Sequence, residues 1–311
     1  MSLPPAHTPN PKGATHYRNL SVCPFKARAS QLTSLGDPRV GEDDPLDFGS
    51  AYHYAMRLEY ENLQDVQAGR EPRWRNAYDA WCLAFDQGIL KKLSEDQLNR
   101  VHSLVAVASP EDGQDGQVLA VEQVCYLYCG EDDAGDPVYY APTVDLLTQS
   151  AGRYNFIDHK TGANKHNDAK QFEFETDLQF IGLAALGLYG FYLGEGDSAV
   201  WYPGGETSVQ VRYAQSQAPY RVGCFPVKPS AWAIHAFRDR ILELRNAELR
   251  YAKREAALRA QGASLEECLS AWPRTMGGTG PCYAKYNKGR CDQDRKSTRL
   301  NSSHLGISYA V

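Results

Sequence analysis

The chain lacks the marks of several protein classes. None of its apolar runs approaches the roughly 18–20 residues of a membrane span, so no membrane association is expected. Met1–Lys12 is Pro-rich and has no apolar h-region, so no secretory leader is expected. Cysteine is sparse, with eight in 311 residues, well below the density of a disulfide scaffold. Excess charge of one sign is also missing: 33 Lys and Arg face 38 Asp and Glu, a formal net charge of −5. That balance argues against a protein that coats nucleic acid by bulk charge, but leaves room for a local basic strip. What remains is an ordinary globular composition, 42% hydrophobic and 23% charged. The length suits one large domain or two small ones, with a core that needs no staples.

Without a leader, a reducing cytoplasmic location is expected, bacterial, archaeal or in a phage-infected host. There, clustered cysteines point to metal or cluster ligation before disulfides. The cysteines are Cys23, Cys82, Cys125, Cys129, Cys224, Cys268, Cys282 and Cys291. Cys82, Cys125, Cys129 and Cys224 read as buried small apolar residues.

Asp294–Val311, DRKSTRLNSSHLGISYAV, has no apolar period and follows abruptly on a Cys-rich loop. It resembles the in-frame translation of a common sequencing adapter over Asp294–His304 and again over Ile307–Val311, with Leu305-Gly306 where a variable index falls. Residues 294–311 are therefore expected to be a non-native tail, the alternative being an ordinary polar end. The tail holds three basic residues and one acidic residue, so the remainder carries −7.

Residues 1–16 read as a flexible arm and 17–293 as a single domain. A short helix is expected around Tyr17–Leu35, and another over Phe48–Leu63, where apolar residues recur at three- and four-residue steps until Pro72. One or two helices follow over 74–106, with Trp81, Leu83, Phe85, Ile89, Leu90 and Leu98 as core candidates. The Gly- and Asp-rich stretch 109–117 reads as a loop. Val118–Tyr128, Val138–Thr148 and Tyr154–His159 then read as a three-stranded meander. A helix over Asn167–Leu193, strands at Ala199–Tyr202 and Ser208–Tyr213, and a long helix from Pro229 to about Gly262 complete the pattern. The order predicts an α/β fold, a mixed sheet with helices packed on it.

The stretch FIDHKTG, Phe156–Gly162, carries the chemistry. Side chains alternate along a strand, so Asp158 and Lys160 share a face while His159 points away. A carboxylate and a lysine two apart at a strand end suit metal-assisted hydrolysis, though a surface ion pair is the bland alternative. Asp145 lies inside the apolar strand VYYAPTVDLL, where a carboxylate is costly unless paired or metal-bound. In a meander it can lie beside Asp158, and a cation would remove the repulsion between the two. Gly49-x-x-x-His53 places a glycine one turn before a histidine on one helix face, and His53 could supply a nitrogen to the same cation.

This order of motifs resembles the PD-(D/E)XK nuclease superfamily: Gly49-x-x-x-His53, Glu122, Asp145, Asp158-x-Lys160 and Gln179. The branch it looks most like is that of RecB-like and CRISPR-associated exonucleases, including phage-type members. The resemblance covers about residues 17–291. It implies a two-layer αβββαβ core and a Mg²⁺- or Mn²⁺-dependent DNase. His53, Asp145, Asp158 and the backbone carbonyl of His159 look like the metal ligands, Lys160 like the catalytic lysine, and Glu122 like a possible auxiliary group. Gln179 matches the opening of the family's Gln-x-x-x-Tyr motif, which is only half present because position 183 is Leu. DNA, single-stranded or at duplex ends, is the implied partner, with room for replication, recombination or CRISPR-type proteins. Lys165, Lys170 and Tyr154, with Gln179, are expected to approach the strand: lysines neutralise phosphates and aromatics stack unpaired bases. The alternatives are a non-catalytic DNA-binding or assembly module on the same fold, and a structural zinc protein.

The same branch often carries a [4Fe-4S] cluster on one Cys ahead of the core and three near the C-terminus. Cys23, Cys282 and Cys291 fit three of these places, with the fourth ligand expected a few residues past Cys291. Zinc is the other option, since four thiolates also suit it. A version of the protein extended by its native end is expected to be brown after anaerobic purification, and the present chain to retain its cluster poorly. Elemental analysis that finds no iron in the extended protein would exclude the cluster.

Overall fold

The computed structural model describes residues 12–25, 27–28, 45–74, 94–112, 116–217 and 219–273. Cys82, Cys282, Cys291, the 75–93 part of the expected helical stretch and the adapter-like tail lie outside the described residues. The chain divides into two compact units. The first comprises Met1–Pro11, Arg39–Tyr128 and Tyr139–Arg238, and the second Lys12–Pro38, Cys129–Val138 and Asp239–Val311.

The strands of the chain are β1 (Gln117–Glu131), β2 (Pro137–Tyr140), β3 (Thr143–Ser150), β4 (Arg153–Gly162), β5 (Phe191–Leu193), β6 (Val200–Tyr202), β7 (Thr207–Gln215) and β8 (Arg221–Pro226). They form a mixed sheet in the order β6-β5-β1-β3-β4-β7-β8, with β2 on β1. β1, β3 and β4 are the expected meander, each pair antiparallel. β7 then returns parallel to β4, with Asp158 opposite Val211 and His159 opposite Arg212.

The sheet of the first unit has helices on both faces. On one side the helices Pro45–Gln67 and Glu95–Asp112 bury Tyr52, Met56, Tyr60, Val101 and Leu104 against Val121, Leu146 and Ile157. On the other, the helix Leu178–Tyr189 lies on β4 and β7. Mean hydropathy explains the difference: Leu178–Tyr189 is apolar nearly all round, as an internal helix should be, whereas Pro45–Gln67 keeps a polar outer face. Gly182 makes the inner packing possible, since a Cβ there would lie 2.5 Å from the Tyr140 ring. The two-layer core implied by the resemblance is thus three-layered here.

Several element boundaries differ from the sequence reading, each for a local reason. Val138–Thr148 is two strands, because Pro142 cannot donate to a ladder. Asn167–Leu193 is two helices and a short strand. Asp177 stops the first helix and caps the second by accepting from the Gln179 N–H at 2.8 Å, while Gly190, at φ +85°, ends it. The helix Glu95–Asp112 runs into the stretch expected to be a loop. β8 gives almost no alternating signal, with every residue partly or fully exposed. The β3–β4 turn holds both Ala151 and Gly152 at positive φ, as a two-residue hairpin loop requires.

In the second unit, Leu20, Cys23, Phe25 and Ala27 pack with Leu269, Ala271 and Trp272. The Phe25 N–H donates to the Pro273 carbonyl at 3.2 Å. Glu255, on the helix Phe237–Ala260, is 2% exposed yet fully engaged. It accepts from Arg28 Nε at 2.8 Å, from Arg259 Nη2 at 2.7 Å and from Trp272 Nε1 at 2.8 Å. Burial alone would push its pKa up, but Arg28, Arg259 and Trp272 outweigh burial and hold it at about 2. A carboxylate depressed on folding stabilises above its unfolded pKa and loses that contribution as pH falls through the folded one. Glu255→Gln should therefore cost about 2–3 kcal/mol at pH 7 in denaturant unfolding, with the deficit shrinking as pH falls from about 4 toward 2.

Candidate active site

The site lies where β3 begins and β4 ends. Antiparallel pairing of Leu146 with Ile157 continues to set Asp145 opposite Asp158. Asp158 is 2% exposed and Asp145 is mostly covered. Burial raises the Asp145 pKa to about 7, with the Asp158 charge adding to the rise and His53 and Lys160 opposing it. Asp158 is raised for the same first reason, while Lys160 works against the rise.

The groups around this pair divide them. Asp158 Oδ2 lies 2.5 Å from Lys160 Nζ, and its Oδ1 accepts from the Gln179 side-chain amide. Lys160 also sits over the Phe180 ring at 5.8 Å, one helix position beyond Gln179. Asp145 Oδ2 accepts the His159 backbone N–H at 2.7 Å and lies 3.3 Å from His53 Nδ1. His53 Nδ1 is also 3.7 Å from Glu122 Oε1. Burial disfavours a charged His53, but Glu122 and Asp145 outweigh burial and raise its pKa.

His53, Glu122 and Asp145 thus place one nitrogen and two carboxylate oxygens within 4.8 Å of one another, a donor set that fits a divalent cation. Of the sequence-predicted residues, Asp158 borders this group and is held by Lys160 and Gln179. Glu122, expected only as an auxiliary, is inside it. The backbone at Glu122 has φ +47°, costly for a non-glycine residue within a strand, and such strain concentrates at functional positions. Gly49 fits its expected purpose: a Cβ there would meet Thr161 Oγ1 at 3.3 Å, so the glycine lets the helix close on the end of β4.

These features place the chain among known proteins. A model of the PD-(D/E)XK nuclease superfamily matches residues 13–276. The chain belongs to that superfamily. A comparison with curated proteins gives no match. Among solved structures, a candidate exonuclease from Eubacterium rectale is similar at 10% identity and a TM-score of 0.44, over 96% of this chain and 94% of that one. The protein SSO0001 is similar at 11% identity and a TM-score of 0.29, over 72% of this chain and 82% of that one.

The residues expected at DNA fare unequally in this PD-(D/E)XK protein. Lys165 is exposed on the loop after β4, and Lys170 is half-exposed on the next helix, 3.4 Å from Glu173. Gln179 faces Asp158. Tyr154 is corrected: it is 4% exposed, with its ring edge-on to Phe191 and Tyr202, so neither face can stack on a base. It is the second residue of β4, four residues before Asp158, where the strand is covered. Cys125 and Cys129 are buried as expected, and burial pushes the Cys125 thiol up to about 12. Cys224 is exposed instead and donates to Gln210 Oε1. Sequence reasoning missed Tyr60, whose hydroxyl lies 2.8 Å from His159 Nε2, because nothing local to either residue signals the contact.

A carboxylate raised on folding destabilises progressively above its unfolded pKa, and a raised histidine acts in the same direction. Without metal, the protein should therefore lose stability as pH rises from about 4 through 7. In chelator, Asp145→Asn is expected to be more stable than wild type by roughly 1–4 kcal/mol at pH 8, with the difference vanishing near pH 4. Denaturant unfolding at the two pH values checks this.

Proposed function

We propose that the chain is a metal-dependent DNA nuclease that hydrolyses phosphodiester bonds and works from DNA ends. The observation that carries the reading is the buried Asp145–Asp158 pair, with Lys160 on one carboxylate and His53 and Glu122 beside the other. In this reading His53, Asp145, Asp158 and the His159 carbonyl hold Mg²⁺ or Mn²⁺, with Glu122 as a further oxygen donor. What the cation supplies is Lewis acidity toward the scissile phosphate.

The protein's own groups do the rest. Lys160 presents an ammonium beside the carboxylates, where it positions the attacking water and offsets charge developing on the phosphate. Gln179 fixes the rotamer of Asp158 by donating to one oxygen, leaving the other to Lys160. Lys165 and Lys170 neutralise strand phosphates as the substrate passes the end of β4. Cys23, together with Cys282 and Cys291, belongs to a [4Fe-4S] site in the same reading.

The test is degradation of end-labelled linear and closed circular DNA with Mg²⁺, Mn²⁺ or chelator. Linear DNA should be lost in the presence of metal and circular DNA spared. Lys160→Ala and Asp158→Ala should each lower the rate by about 100-fold or more. DNA binding without metal-dependent cleavage would instead identify a non-catalytic module, and activity surviving either substitution would overturn the assignment of roles.

A further inference from the structure

The helix Pro45–Gln67 reaches β4 at two levels. His53 faces the carboxylates, and Tyr60, seven residues or two turns further on, reaches the buried side chain of His159. His159 is 1% exposed and projects from the face of β4 opposite to Asp158 and Lys160. Its Nε2 lies 2.8 Å from Tyr60 Oη, and Arg212 Nη1, from the neighbouring strand, lies 3.4 Å from the same oxygen. Arg212 pairs in register with His159 across the parallel β4–β7 ladder and is itself buried.

The proton directions in this chain follow from chemistry. A guanidinium only donates, so the Tyr60 oxygen accepts from Arg212. The Tyr60 hydroxyl and His159 Nε2 then share one proton across 2.8 Å, and either imidazole tautomer keeps that bond. The backbone of His159 is what the candidate metal site uses: its N–H donates to Asp145 Oδ2, the oxygen 3.3 Å from His53. A side chain anchored behind the sheet thus fixes the backbone N–H that reaches Asp145 from the neighbouring strand.

We propose that Tyr60 and Arg212 are positioning residues of the cation site, holding His159 so that its peptide group orients Asp145 toward His53. The inference rests on the proposed function for the identity of the ligand, a divalent cation. It goes beyond that reading by assigning cation affinity to residues that do not touch the cation. Groups that orient metal ligands typically change affinity by about 10–100-fold when removed. Tyr60→Phe keeps the ring in the core and removes only the hydroxyl, so its packing cost is small.

The experiment titrates Mn²⁺ into the full chain without DNA, read by electron paramagnetic resonance, for wild type, Tyr60→Phe and Arg212→Met. Wild type should bind one ion at the site, and Tyr60→Phe, folded but with its thermal midpoint lowered by a few degrees, should bind it about 10-fold more weakly. In cleavage assays kcat at fixed Mn²⁺ should fall, saturating Mn²⁺ should restore it, and KM for DNA should stay the same. The nitrogen NMR signals of His159 should shift between wild type and Tyr60→Phe, because the variant lacks the hydroxyl bonded to Nε2. Unchanged Mn²⁺ affinity in a folded Tyr60→Phe, or His159 nitrogen signals that do not shift in it, would overturn the inference while leaving the nuclease reading intact. A wild type that binds no Mn²⁺ and cleaves no DNA would overturn both.

Discussion

Two buried carboxylates that face each other across adjacent strands set the terms for everything around them. Asp145 and Asp158 are brought together by the β3–β4 register, and neither can move away without breaking the ladder. Burial is what raises both pKa values, and at Asp145 the neighbouring Asp158 charge adds to the rise. The surroundings divide the pair into two differently served groups. Lys160 and Gln179 serve Asp158 from one face of the sheet, and His53 with the His159 peptide serves Asp145. The arrangement is stable only with compensating charge, which is the condition under which a divalent cation binds well.

Much of that pair was legible in the sequence because strand periodicity is a strict rule. FIDHKTG fixes the faces of Asp158, His159 and Lys160 without any tertiary information, and a meander makes the second and third strands neighbours. His53 was legible through its spacing from Gly49, and the Thr161 contact of Gly49 gives that spacing a steric cause. Gln179 was recognisable only through the half-present motif, and its contact with Asp158 depends on Asp177, which restarts the helix so that Gln179 sits in its first turn. A continuous Asn167–Leu193 helix would not have placed it there by any local rule.

What the sequence did not reveal has one physical character: it depends on residues far apart in the chain. Tyr60 and Arg212 are 152 residues apart and meet over His159. The burial of Tyr154 depends on Phe191 and Tyr202 closing over it, so an aromatic on the same strand as Asp158 reads as a base-stacking group until its neighbours are known. Glu122 was legible only as a possible auxiliary, and its left-handed backbone and its distance to His53 are what bring it into the donor group. β8 escaped because an edge strand that buries little has little need of alternation.

The helix Pro45–Gln67 resolves these distant dependencies into one element. Gly49, His53 and Tyr60 lie on it at successive levels, meeting Thr161, the carboxylate pair and His159 in turn. A rigid helix cannot shift one of these contacts without shifting the others, because each is fixed by the same 1.5 Å rise per residue. Its position on β4 is in turn set by the apolar contacts of Tyr52, Met56 and Tyr60 with Leu146 and Ile157, the residues adjoining Asp145 and Asp158. Core packing and site geometry are therefore coupled through consecutive residues of the same strands: Leu146 packs while Asp145 waits for charge, and Ile157 packs while Asp158 does the same. A sequence that preserved the acidic residues but lost this apolar stripe would keep the chemistry and lose the distances on which it depends.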